Sequence, residues 1–113
     1  MDTLSLVLFP FMLLYMGAAF AAQSESEFGS AGNPVKTQGI NGAREYIDSL
    51  DCENGAIPEY RHESAPETGA SGDQLEKYIM RCEADNVKIF TIYLDPNHTK
   101  TDTRPVRGFT SWL

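Results

Sequence analysis

The chain of 113 residues carries 16 acidic against 9 basic residues, a net charge of −7 with its histidines neutral. Such a surface repels phosphate backbones, and no cluster of Lys or Arg offsets it, so non-specific nucleic-acid binding is excluded. The length permits one small domain with one modest core, and two cysteines permit a single intramolecular disulfide.

Leu4 to Ala22 is almost wholly apolar and is interrupted by Pro10. Its core has the length of a secretory h-region, and Ala19 and Ala21 fit the minus-three and minus-one positions of an A-x-A site. Cleavage is expected after Ala21, with Ala22 as the alternative, so residues 1–21 read as a signal peptide. The competing reading is an uncleaved anchor, since a span needs about 20 apolar residues. The A-x-A site and the polar Gln23–Glu27 that follows favour cleavage, hence a secreted chain with no membrane attachment afterwards. The n-region has Asp2 and no basic residue, which leans toward a eukaryotic pathway.

Residues 22–33 are rich in Ser, Gly and Glu and read as a flexible arm, with Phe28 as the one residue able to anchor it. Residues 34–113 read as the domain. Within it, Ile40, Ala43, Ile47 and Leu50 recur at helical spacing and predict one helix across Pro34–Leu50, with Asn41 or Thr37 as cap. Asp51–Gly55 supplies the stop. Ala56–Glu63 predicts a strand that Pro58 pushes to a sheet edge. Ser64–Asp73 reads as a long loop.

Glu76–Glu83 and Val87–Leu94 predict a hairpin. Tyr78, Met80 and Cys82 alternate with Lys77, Arg81 and Glu83. In the second strand Ile89 and Tyr93 lie on one side, and Phe90, Ile92 and Leu94 on the other. Two apolar faces predict a central strand covered on both sides. One helix covers one face; Phe109 and Trp112, the N-terminal arm or a partner chain must cover the other. Asp95–His98 has turn chemistry, and Arg104–Leu113 reads as a last strand. The fold class is therefore α+β: one N-terminal helix packed on a three- to four-stranded antiparallel sheet, with one disulfide. The pair is Cys52–Cys82, which would staple the end of the helix to the hairpin. Closing a loop of about 30 residues is worth roughly 3 to 4 kcal/mol by the chain-entropy model.

Asn97-His98-Thr99 is an N-glycosylation sequon in an expected surface turn, which makes Asn97 a candidate attachment site. No metal or other cofactor is expected, because His62 and His98 lack partners at ligand spacing and H-E-x-x-H is absent. Glu59, Arg61, His62 and Glu63, with Arg81 and His98, contain the residue types that acid–base cleavage of RNA needs. A helix followed by an antiparallel sheet resembles the layout of small secreted ribonucleases. The resemblance is one of layout, without a ribonuclease motif, and a solvated edge strand with paired charges is the simpler account.

Tyr, Trp and Arg are the usual anchors of protein interfaces. Arg104, Arg107, Phe109 and Trp112 near the C-terminus are accordingly the binding candidates, together with the Ser64–Asp73 and Asp95–Thr103 loops. The expectation is a non-enzymatic secreted protein of effector or inhibitor type that binds a protein partner, with a homodimer as one way of covering the spare sheet face. The alternative is a ribonuclease-like hydrolase using Glu59, His62 or His98 and an arginine, or an inactive relative of one.

Overall fold

The structure, a computed structural model, describes residues 26–69, 72–83 and 86–113. The expected signal peptide and residues 22–25 lie outside them. In chain order the elements are β1 (Val35–Lys36), α1 (Gly39–Asp48), β2 (Leu50–Cys52), β3 (Glu59–Thr68), β4 (Gln74–Cys82), β5 (Lys88–Asp95) and β6 (Phe109–Ser111). The main sheet has the order β1-β5-β4-β3, while β2 and β6 form a separate two-stranded sheet. The fold is α+β, with one helix among the described residues and one disulfide.

The sheet is mixed where the sequence predicts an antiparallel one. β3, β4 and β5 form an antiparallel meander, but β1 runs parallel to β5, with Val35 beside Leu94. A two-residue strand is too short to leave a periodic signal. It also precedes α1, so the helix is not the first element. The last strand departs as well: β6 leaves the meander and pairs with β2, placing Phe109 opposite Cys52.

Alternation along the meander sorts its side chains onto two faces. Tyr78, Met80 and Cys82 of β4 lie beside Phe90 and Ile92 of β5 on the helix side. There they share one buried cluster with Ala43, Tyr46 and Ile47 of α1 and with Val35, Leu50, Leu94, Val106 and Phe109. Each fully buried side chain of this size contributes about 1.5–3 kcal/mol. The helical stripe is Ala43, Tyr46 and Ile47; Ile40 is 56 % exposed in the first turn, and Leu50 belongs to β2.

Neither Asn41 nor Thr37 caps α1 through its side chain; Gln38 holds the cap position without a side-chain bond. The amides at the helix start are satisfied from the segment after β5 instead. Gln38 N–H donates to Thr101 Oγ1 and Gly39 N–H to the Pro96 carbonyl. The Tyr46 hydroxyl donates to the Arg104 carbonyl at 2.6 Å, and burial pushes its pKa well above the ordinary tyrosine value.

Cys52 and Cys82 form the predicted disulfide, which joins the small sheet to β4. β3 lies at the sheet edge, as Pro58 predicts, but extends to Thr68 after a register shift beyond Ser64. Much of the predicted Ser64–Asp73 loop is therefore strand. The predicted arm also differs, because residues 26–33 dock on the outer edge of β5. Gly29 is buried, its carbonyl accepts from Tyr93 N–H at 2.8 Å, and its own N–H donates to the Asn33 carbonyl. With φ at +95°, a side chain at Gly29 would meet Val106 Cγ1 at 2.7 Å. Docking through the backbone and one aromatic leaves little trace in composition.

Candidate functional site

The second face of the meander carries Arg61 and Glu63 from β3, Lys77, Ile79 and Arg81 from β4, and Ile89, Thr91 and Tyr93 from β5. In cross-strand register Ile79 sits between Arg61 and Thr91, and Arg81 lies opposite Ile89. Ile89 is 60 % exposed, and Val87, just before β5, is 52 % exposed. With Ile79, Tyr60 and the flanking Glu59, Arg61 and Arg81 they line a shallow depression of about 430 Å³. Single exposed apolar residues are ordinary; here Val87 and Ile89 share one depression with Ile79 and a charged rim. The rim is paired locally, Arg61 with Glu63 and Arg81 with Glu83. Exposed pairs of this kind contribute at most about 1 kcal/mol each.

A second feature adjoins this face at Ile89. A groove of about 580 Å³ runs along β5, between the docked arm (Glu27–Ala31) and the turn carrying Val106, Arg107 and Phe109. Both walls approach through a glycine. Gly29 brings in the arm, and Gly108, with φ at +96°, sits so close to Phe90 that a Cβ would lie 2.6 Å from its ring. β5 is central, as its two apolar faces predict, with β4 on one side and β1 on the other. On the side away from β4, the described residues flank its end alone, β1 at Leu94–Asp95 and Gly29 at Tyr93.

The C-terminal binding candidates are not brought into one patch. Phe109 is buried at 6 % exposure, edge-on to Phe90 with ring centroids 4.7 Å apart, and forms the inner wall of the groove. Arg107 reaches over the groove to Glu27 at 3.0 Å. The Arg104 guanidinium lies 3.9 Å from the Phe28 ring centroid and holds the arm down. Trp112 is 64 % exposed, lines neither cavity, and is tied by its backbone N–H to the Ser49 carbonyl. Sequence reasoning missed Val87 as an exposed residue and Ile79 as a half-buried one on the open face. The available signal was the break in alternation at Ile79, which puts an isoleucine on the charged side of β4.

The residues of the hydrolase alternative are dispersed. His62 lies on the helix-side face of edge strand β3, with Nε2 2.7 Å from Glu76 Oε1 and its ring stacked on Tyr78. Tyr60 on the same face donates its hydroxyl to Asp48 Oδ1, and that bond raises its pKa. Glu59, Arg61 and Arg81 lie on the opposite face, so neither arginine can serve a reaction at His62. His98 follows the end of β5, with Nε2 3.0 Å from Asp95 Oδ2. Among the described residues no cluster of His, Cys, Asp and Glu has the arrangement of a metal site.

Asp95 organises the turn after β5. It is buried, and burial alone would push its carboxyl pKa up. The Asn97 backbone N–H, His98 and the Asn97 side-chain amide outweigh this, so the carboxyl stands below its ordinary value. The sequon residue Asn97 is exposed, and its Nδ2 donates to Asp95 Oδ1 at 3.2 Å.

No family model, curated protein or solved structure matches the chain. Among the described residues no helix is long and apolar enough to cross a membrane.

Proposed function

We propose that the chain is a small secreted protein of effector or inhibitor type that acts by binding another protein, without catalysis, through the open face of its sheet. The observation that carries this reading is the exposed pair Val87 and Ile89 with the half-buried Ile79, framed by Arg61 and Arg81 on the meander. The disulfide suits an oxidising compartment. The leader-like residues 1–21 supply the route, and Asn97 is then a candidate for glycosylation.

The test compares capture by residues 22–113 with capture by the same chain carrying Ile89→Asp, from extract of the natural target tissue. A stoichiometric partner held by the wild-type chain and lost with Ile89→Asp supports the reading. Equal retention by both, or RNA cleavage that His62→Ala abolishes, overturns it.

A further inference from the structure

The backbone of β5 offers more than its side chains do. Tyr93 N–H points away from β4, because it donates to the Gly29 carbonyl on the outer edge. In a strand the N–H and C=O of alternate residues point the same way, so those of Thr91 and Ile89 also face outward. Among the described residues β1 covers this edge at Leu94 and Asp95 and the arm at Tyr93. Among the described residues nothing pairs with the outward N–H and C=O groups of Ile89 and Thr91, which face the groove as a template for strand addition.

The charge around this edge runs against that of the whole chain. In a protein of net charge −7, Lys77 and Arg107 line the groove and exposed Lys88 begins the strand beside it. Among the described residues Glu27 is the acid that lines it and is paired with Arg107, Lys77 stands 3.9 Å from Glu63, and Lys88 makes no ion pair. The two sides of the edge differ in kind. Val87 and Ile89 are apolar on the open face; Lys88 and the Arg107 turn stand on the helix side.

Resting on the reading of the open face as a protein-binding surface, we infer that the Ile89–Thr91 edge of β5 takes an extended acidic segment of the partner as an added strand. Its backbone pairs with Ile89 and Thr91. Its alternate residues are β-branched toward Val87 and Ile89 and carboxylates toward Lys88 and, in exchange for Glu27, toward Arg107.

The experiment selects binders from a display library of random 12-residue peptides on residues 22–113. The enriched peptides are expected to alternate Asp or Glu with Val, Ile or Thr. Affinity is expected to fall at least 10-fold with Lys88→Glu. It falls as far with Thr91→Pro, which removes an outward N–H without touching the β4 ladder. A synthetic copy of an enriched peptide, N-methylated at alternate residues, is expected to lose binding to the same extent, and this needs no variant protein to fold. No enrichment, or equal binding by Thr91→Pro and by the methylated peptide, overturns the inference. A peptide-free dimer in light scattering that Thr91→Pro dissolves also overturns it, by making a second copy the occupant. If Ile89→Asp abolishes capture of the tissue partner while Thr91→Pro preserves it, the open-face reading stands and strand addition alone fails.

Discussion

The two faces of the meander come from the same three strands, one residue out of step, and they meet different fates. On one face Tyr78, Met80, Cys82, Ile92 and Leu94 are buried beneath α1 and the small sheet. On the other, Ile79 and Ile89 stand among Arg61, Lys77 and Arg81 without a covering layer among the described elements. The contrast separates residues that hold the fold from residues free to meet something else. Removing a covered side chain leaves a cavity, whereas removing an open one changes little until a partner arrives.

The largest expected effect tests the covalent tie on the covered side. Replacing both Cys52 and Cys82 by serine should cost roughly 3 to 4 kcal/mol, read from the urea midpoint. Met80→Ala should follow at about 3 kcal/mol, within the range for a buried methionine. Gly108→Ala is smaller, about 2 kcal/mol, because it combines a positive φ with a Cβ pressed into the Phe90 ring. A Gly108→Ala protein of unchanged stability would mean that the groove wall can relax. At the other extreme, Ile89→Ser should move stability by no more than about 0.5 kcal/mol while removing partner capture. A loss as large as that of Met80→Ala would erase the distinction between the faces.

A pH series sharpens the same contrast at the end of β5. Asp95 has a lowered pKa, so its contribution to stability is full above the unfolded carboxylate value of about 3.9. It fades as pH falls through the lower folded value. Asp95→Asn should therefore flatten the acid side of the stability profile below about pH 4, measured as urea midpoints at pH 7 and pH 3. An unchanged acid limb would show that the turn at Asn97 holds without the carboxylate.

What the sequence made legible was local. The alternation of Tyr78, Met80 and Cys82 located β4, the apolar run to Leu94 located β5, and the paired cysteines located the staple. What stayed hidden depends on partners distant in the chain. Val35 and Lys36 become a strand only because Leu94 and Asp95 are already in place. Phe109 looked like an interface aromatic until the turn at Gly108 brought it onto Phe90. Tyr46 is absent from the predicted helical stripe, yet it is buried with Ala43 and Ile47, since its hydroxyl finds the Arg104 carbonyl. Of the candidate site, the grouping of Ile89 with Tyr93 on one side of β5 was readable from alternation, but not that this side stays open. The open edge was not, because its length is set by where β1 and Gly29 happen to stop.

The disulfide also decides how the molecule responds to proteolysis. The connection between β3 and β4 falls within the 30-residue span that Cys52 and Cys82 close. A protease that nicks this connection leaves β1, α1, β2 and β3 on one fragment and β4, β5 and β6 on the other. The Cys52–Cys82 bond and the β2–β6 pairing still hold the fragments together. Nicked protein should therefore migrate as one species until a reductant is added. The edge of β5, whose residues from Val87 onward belong to the second fragment, stays mounted on the core through such a cut, while the open face then draws Arg61 and Glu63 from the first fragment.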